Sequence, residues 1–148
     1  SILKSNDEHK NWIRRQLIRT FSSLKDLRIT IWGLTYKSGT DTLRRSLTVE
    51  LCEWLISQDV QIYIYDPVIK ELPENLRHHV NRINNPYESL NNLDALIIGT
   101  PNQNFLRDFE KISLKIDRKL TVIDPTRYLH SVVNNLDINY ISVGSVNR

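Results

Sequence analysis

Ala95-Leu96-Ile97-Ile98 is an uninterrupted apolar run closed by Gly99, with no polar residue alternating through it. A strand that shows one face to water alternates apolar with polar residues, whereas a strand covered on both faces does not. The run therefore calls for packed layers above and below it, and the rest of the chain supplies them in alternation. Ile13, Leu17, Phe21 and Leu24 recur at helical spacing and predict a first helix. Leu27 to Trp32 alternates with β-branched residues and reads as a strand ended by Gly33. Leu47 to Ser57 is a helix by the stripe Leu47, Leu51, Trp54 and Leu55, with Ser46 as its N-cap. Val60 to Tyr65 is a strand stopped by Asp66-Pro67, His78 to Ile83 a short strand, and Tyr87 to Asn91 a short helix. Beyond the apolar run, Phe105 to Ile116 reads as helix, Leu120 to Ile123 as strand, Leu129 to Asn134 as helix and Asn139 to Val143 as a last strand. Asn84-Asn85, Asn91-Asn92 and Asn134-Asn135 read as turns or helix ends.

Strands alternating with helices mean βαβ units. The expected fold is an α/β, Rossmann-like, three-layer doubly wound domain with a mostly parallel sheet, preceded by an N-terminal helix. Ligands of such sheets bind beyond the carboxyl ends of the strands. The residues that follow Trp32, Tyr65, Ile98, Ile123 and Val143 are thus the ones to weigh for function.

Bulk properties narrow the function classes. The 148 residues suffice for one domain with a full core. Nothing approaches the roughly 18 consecutive apolar residues of a membrane span, and no apolar stretch reads as a signal peptide. The net charge of +3 is mild and its basic residues are not gathered in one run, so no nucleic-acid partner is expected. Arg14, Arg15 and Arg19 lie mostly off the apolar face of the first helix; they are either a solvated face or a phosphate-binding stripe, without the aromatic residues that stack bases. Cys52 is the single cysteine, which rules out an internal disulfide and fits a reducing, cytoplasmic setting. It sits inside a predicted helix, as a small packed residue does, with no histidine beside it to activate it. His78-His79 point different ways and lack a second ligand pair, so a surface reading outweighs a metal site. Asp66 is either a strand stop or an acid placed to bond a ribose. A chain that opens on Ser1 and holds no methionine is expected to be a piece of a longer protein.

The stretch Gly33 to Ser46 is far longer than the 2–6 residues that usually join strand to helix. It carries Lys37, Arg44 and Arg45 against one acid, Asp41, and feeds a helix N-terminus at the ligand edge. Backbone N–H groups and the helix dipole there favour an anion. A phosphate-containing ligand follows, unless Asp41 merely pairs with Arg44 across one turn. The four glycines, Gly33, Gly39, Gly99 and Gly144, form neither G-x-G-x-x-G nor a P-loop, so this is not a primary dinucleotide-binding half.

Gly33-Leu34-Thr35-Tyr36-Lys37-Ser38-Gly39-Thr40-Asp41-Thr42-Leu43-Arg44-Arg45-Ser46 resembles the pattern that opens the C-terminal domain of the UDP-glucose/GDP-mannose dehydrogenase family. Tyr65-Asp66-Pro67, Ile98-Gly99-Thr100 with Phe105 downstream, and Val122-Ile123-Asp124 resemble later landmarks of the same domain. The segment from Asn6 is similar to the end of the family's central helical region, which divides the chain into residues 1–25, a linker end, and 26–148, the nucleotide-sugar-binding domain.

The resemblance implies a role in an enzyme that oxidises a sugar C6 alcohol to a carboxylate with NAD⁺. The main NAD-binding domain and the catalytic cysteine of such enzymes lie outside this chain, which is expected to be inactive alone. It implies that Tyr36 and Lys37 contact a UDP- or GDP-sugar and that Arg44 reaches towards NAD. It implies a homodimer for the full-length enzyme. The family's further substrate arginine stands in D-G-R; here Asp124-Pro125-Thr126-Arg127 places Arg127 one position later. Leu47 and Asn102 also depart from the family's usual proline and aromatic residue, which leaves the sugar nucleotide open. The alternative is a freestanding, non-catalytic nucleotide-sugar-binding module.

Overall fold

The computed structural model describes residues 6–34, 47–116 and 118–144, with side chains from Asn11 onward. Helix α1 (Asn6–Thr20) leads into strand β1 (Arg28–Trp32), helix α2 (Leu47–Ser57), strand β2 (Gln61–Tyr65), the single-turn helix α3 (Glu74–Arg77) and the two-residue strand β3 (Asn81–Arg82). Strand β4 (Ala95–Ile98), helix α4 (Asn104–Ser113) and strand β5 (Leu120–Ile123) follow. A single 3-10 turn (His130–Val132) then precedes strand β6 (Ile138–Ile141). The strands form one six-stranded sheet in the order β3-β2-β1-β4-β5-β6, and all its pairings are parallel. This is the doubly wound arrangement, with the order reversing between β1 and β4.

The central strands are buried along their length because both faces of the sheet are covered. On one face Ile29, Ile31, Ile62, Ile64, Ala95 and Ile97 meet Ile13 and Leu17 of α1 and Leu51, Cys52 and Leu55 of α2. On the other face Trp32, Tyr65, Leu96, Ile98 and Val122 meet Phe105, Phe109 and Ile112 of α4, together with Leu129. Period-two alternation along each strand thus divides its residues between two cores. Helix α1 belongs to the first core rather than standing apart. Arg14 is half-buried, with its guanidinium 5.0 Å above the Trp54 ring, while Arg15 and Arg19 are exposed. The three arginines therefore do not form a single stripe.

The predicted elements differ from the observed ones mainly where single turns decide. Helix α1 ends at Thr20, yet Phe21 and Leu24 still pack on the first core. The strand predicted over 78–83 is reduced to Asn81–Arg82, with α3 just before it. The helix predicted over 87–91 is a series of turns: Asn85 Oδ1 accepts from the Tyr87 amide, and Glu88 accepts from the Asn84 amide and the Asn85 side chain. The helix predicted over 129–134 is only the 3-10 turn. Asn92 and Asn135 take positive φ of 60° and 64°, as the asparagine pairs led one to expect of turns.

Candidate functional site

The carboxyl ends of β1 and β4 approach so closely that only glycine fits at their contact. Gly33 has φ of +89°, and a Cβ there would lie 2.0 Å from the Thr100 carbonyl oxygen. A Cβ on Gly99 would lie 2.2 Å from the Gly33 carbonyl oxygen and 2.8 Å from Thr48 Oγ1. The ladder consequently runs past the strand ends: Gly33 N–H donates to Tyr65 O (2.9 Å), Gly99 N–H to Trp32 O (2.8 Å) and Thr100 N–H to Gly33 O (3.0 Å). Contact with Thr48 brings the first turn of α2 onto this reversal point of the sheet. The described backbone stops at Leu34 and resumes at Leu47, so both limits of the long basic segment stand at the ligand edge. Tyr36, Lys37 and Arg44, with the predicted cap Ser46, lie outside the described residues.

Asp66 is buried and holds this edge together. Its Oδ2 accepts from the Leu34 amide (2.7 Å) and its Oδ1 from the Val68 amide (2.8 Å), which ties the exit of β1 to the exit of β2. Of its two readings from sequence, the strand stop is the one these bonds support. Beside it, Tyr65 donates to Asp108 Oδ2 (2.8 Å) beneath the Trp32 and Phe105 rings. Burial first, and then the bond to Asp108, pushes the Tyr65 phenol up from its ordinary value.

A second cluster stands at the carboxyl ends of β5 and β6. Asp124 is fully buried; Oδ1 accepts from the Tyr128 amide (3.0 Å), and Oδ2 from the Leu129 amide (2.7 Å) and the Tyr140 hydroxyl (2.7 Å). These bonds fix a tight turn closed by Arg127 N–H to Asp124 O (3.1 Å), with Arg127 at φ of 59°. Arg127 is exposed at the sheet's ligand edge; Nη1 donates to Ser142 Oγ (3.4 Å), and Nη2 lies 3.0 and 3.2 Å from the His130 ring nitrogens. Burial and the bond to Asp124 hold the Tyr140 phenol well above its usual range, against a smaller opposing effect of Arg127. Arg127, proposed from sequence, stands here beside His130 of the following 3-10 turn; Tyr140 and Ser142, which sequence reasoning did not single out, are brought in by the pairing of β6 with β5.

Cys52 is fully buried, and desolvation pushes its thiol far up, so it is inert where it sits. His78 and His79 are exposed just after α3. Two open cavities lie at the opposite, amino end of the sheet. One of about 520 Å³ is lined by Tyr87, Leu90, Asn91 and Lys115, and one of about 260 Å³ by residues including Ile116, Arg118 and Ile138. Neither adjoins the reversal point where ligands of this topology bind.

Residues 30–131 match the model of the UDP-glucose/GDP-mannose dehydrogenase family, UDP binding domain. The chain belongs to this family. Among curated members, it is 26% identical over 155 residues to a UDP-glucose 6-dehydrogenase of Rickettsia felis, a match covering 98% of this chain and 33% of that protein. It is 24% identical over 162 residues to the UDP-glucose 6-dehydrogenase of Gallus gallus, covering 99% and 33%. The chain thus spans about a third of the length of these relatives. Its fold is shared with the UDP-glucose dehydrogenase of Pyrobaculum islandicum, at a TM-score of 0.71 and 20% identity over 92% of this chain and 29% of that one. The UDP-N-acetyl-mannosamine dehydrogenase of Staphylococcus aureus gives 0.70 and 19% over 95% and 32%. In this family member the matched region runs from within β1 into the 3-10 turn; it contains the glycine contact, Asp124 and Arg127, while Tyr140 and Ser142 lie beyond it.

Proposed function

We propose that this chain is the substrate-binding part of an NAD-dependent nucleotide-sugar 6-dehydrogenase that oxidises a sugar C6 alcohol to a carboxylate. Residues 26–148 form its nucleotide-sugar-binding domain, and residues 1–25 are the end of the helical segment that precedes it. The observation that carries the reading is the family match across the sheet's reversal point, where the basic Gly33–Ser46 segment both leaves and rejoins the described fold. Tyr36 and Lys37 contact the UDP- or GDP-sugar: the ammonium donates to hydroxyls or offsets diphosphate charge, and the ring packs beside it. Arg127 supplies a second cation from the β5 side, and Arg44 reaches towards NAD held mainly by another domain. The chemistry belongs to residues beyond this chain, and the full enzyme is a cytoplasmic homodimer.

Thermal unfolding of the chain with UDP-glucose, GDP-mannose and NAD tests this. A nucleotide sugar should raise the midpoint more than NAD does, and Lys37→Ala should remove the effect. A shift that survives Lys37→Ala unchanged excludes the lysine from the site. NAD and UDP-glucose added to the chain alone should yield no NADH; turnover would overturn the division of labour.

A further inference from the structure

We propose that Arg82, on the edge strand β3, is a positioning residue for the basic Gly33–Ser46 segment. It acts through the loop after β2 and through Asp66 on the amide of Leu34, where that segment leaves the described fold. This deepens the nucleotide-sugar reading and rests on it only for what the segment binds.

A charged side chain on an edge strand ordinarily stays solvated and guards the edge against pairing. Arg82 is exposed, but its guanidinium is spent on main chain. Nη1 donates to Lys70 O (2.8 Å), and Nη2 donates to Ile69 O (2.6 Å) and, at longer range, to Asp66 O (3.4 Å). Among the described residues no carboxylate pairs with it. Its planar fork of donors grips several carbonyls of one bend at once, a geometry that the compact ammonium of lysine does not reproduce. All three carbonyls belong to the loop that leaves β2 at the ligand edge of the sheet.

The loop passes this restraint on. The main chain at Asp66 is held on one side by the sheet, where the Tyr65 carbonyl accepts from Gly33 N–H (2.9 Å), and on the other by Pro67, whose ring fixes φ. The Asp66 side chain then bridges two segments. Oδ1 accepts from Val68 N–H inside the loop (2.8 Å), and Oδ2 from the Leu34 amide, 32 residues earlier in the chain (2.7 Å). Leu34 is itself fully buried in the first core. Its side chain therefore fixes where the chain stands, and the bond to Asp66 fixes which way it faces. Lys37 follows within about 10 Å of extended chain. A turn of roughly 6° at Leu34 displaces a point at that distance by about 1 Å. A misplacement of about 1 Å can cost a catalytic site up to about 100-fold.

The test compares the wild type with Arg82→Met, Asp66→Asn, the double variant and Ser89→Ala, whose lost bond is to Thr30 in mid-strand. Ile69 and Leu72 anchor the loop in the first core whatever stands at position 82, so Arg82→Met should fold. Asp66→Asn keeps one acceptor oxygen; should it fail to fold, Arg82→Met decides alone. Two readouts are taken: the amide resonances and hydrogen exchange of residues 34–46 without ligand, and the dissociation constant of UDP-glucose by calorimetry. Arg82→Met should move those resonances, speed exchange of the Leu34 amide and weaken UDP-glucose by about five- to tenfold. The double variant should bind no worse than the weaker single one, because the two residues act in series. Ser89→Ala should do neither. If all of this is seen, the relay and the nucleotide reading stand together. If Arg82→Met moves the segment's amides and the wild type does not bind UDP-glucose, the relay stands and the nucleotide reading falls. The relay is refuted if Arg82→Met leaves the 34–46 amides unmoved or weakens binding no more than Ser89→Ala does. Full additivity with Asp66→Asn refutes it as well, since Arg82 would then touch the ligand itself.

Discussion

Gly33→Ala tests whether the close approach of β1 and β4 is a requirement of the fold. The new methyl carbon would stand 2.0 Å from the Thr100 carbonyl oxygen, whereas carbon–oxygen contacts settle near 3.3–3.6 Å. The end of β4 must therefore retreat by roughly 1.3 Å or more. That movement breaks the Thr100 N–H to Gly33 O bond and stretches the neighbouring Gly99 N–H to Trp32 O bond. Each is worth about 1 kcal/mol net. Holding an alanine at φ of +89° adds about 1–2 kcal/mol. The expected loss is about 3–4 kcal/mol, a large fraction of a typical domain's stability. Urea unfolding followed by circular dichroism gives the number. Gly144→Ala is the internal control, because Gly144 also has positive φ, 80°, but is exposed; it should lose only the conformational part, about 1 kcal/mol. If Gly33→Ala costs no more than Gly144→Ala, the contact with Thr100 is not what selects glycine.

Asp124→Ala removes the acceptor for three donors and should cost about 3–5 kcal/mol in urea unfolding, with Asp124→Asn intermediate because an amide keeps one acceptor oxygen. Ser89→Ala should cost about 1–2 kcal/mol by leaving the buried Thr30 hydroxyl without its 2.6 Å partner, and adding Thr30→Val should restore most of it; an additive double variant would exclude the coupling. Tyr65 and Tyr140 are held protonated by the fold, so their contribution is full below the unfolded tyrosine value of about 10 and declines as pH rises above it. Tyr65→Phe and Tyr140→Phe should each flatten the alkaline loss of stability measured by urea titration between about pH 9 and 11.

Helix α2 was legible over its whole length, Leu47 to Ser57, because one apolar stripe runs unbroken between Ser46 and the polar Gln58-Asp59. Strands β4 and β5 were equally plain: β4 holds no polar residue, and the one in β5, Thr121, is β-branched and buried with its neighbours. The region from 74 to 94 was not. There α3 and β3 are too short for periodicity to register, and side chains such as Asn85 and Glu88 set the path of the chain through local bonds. The same limit applies at the site. Arg127 enters only through its resemblance to the family's D-G-R arginine, one position late, and Ser142 is brought beside it by the pairing of β6 with β5, which no spacing in sequence announces.

The two cores described on either side of the sheet also divide the chain's three tryptophans. Trp32 is sealed among Tyr65, Phe105 and Phe109, directly before Gly33, while Trp12 and Trp54 are only partly buried on the side of α1 and α2. Emission from this chain is accordingly a two-channel signal, a blue component from inside one layer and a redder one from the other. A ligand that settles at the glycine contact should perturb the blue channel first, whereas detachment of α1 should register in the red. The protein thus carries, without labelling, separate optical reporters for occupancy of its edge and integrity of its outer helix layer.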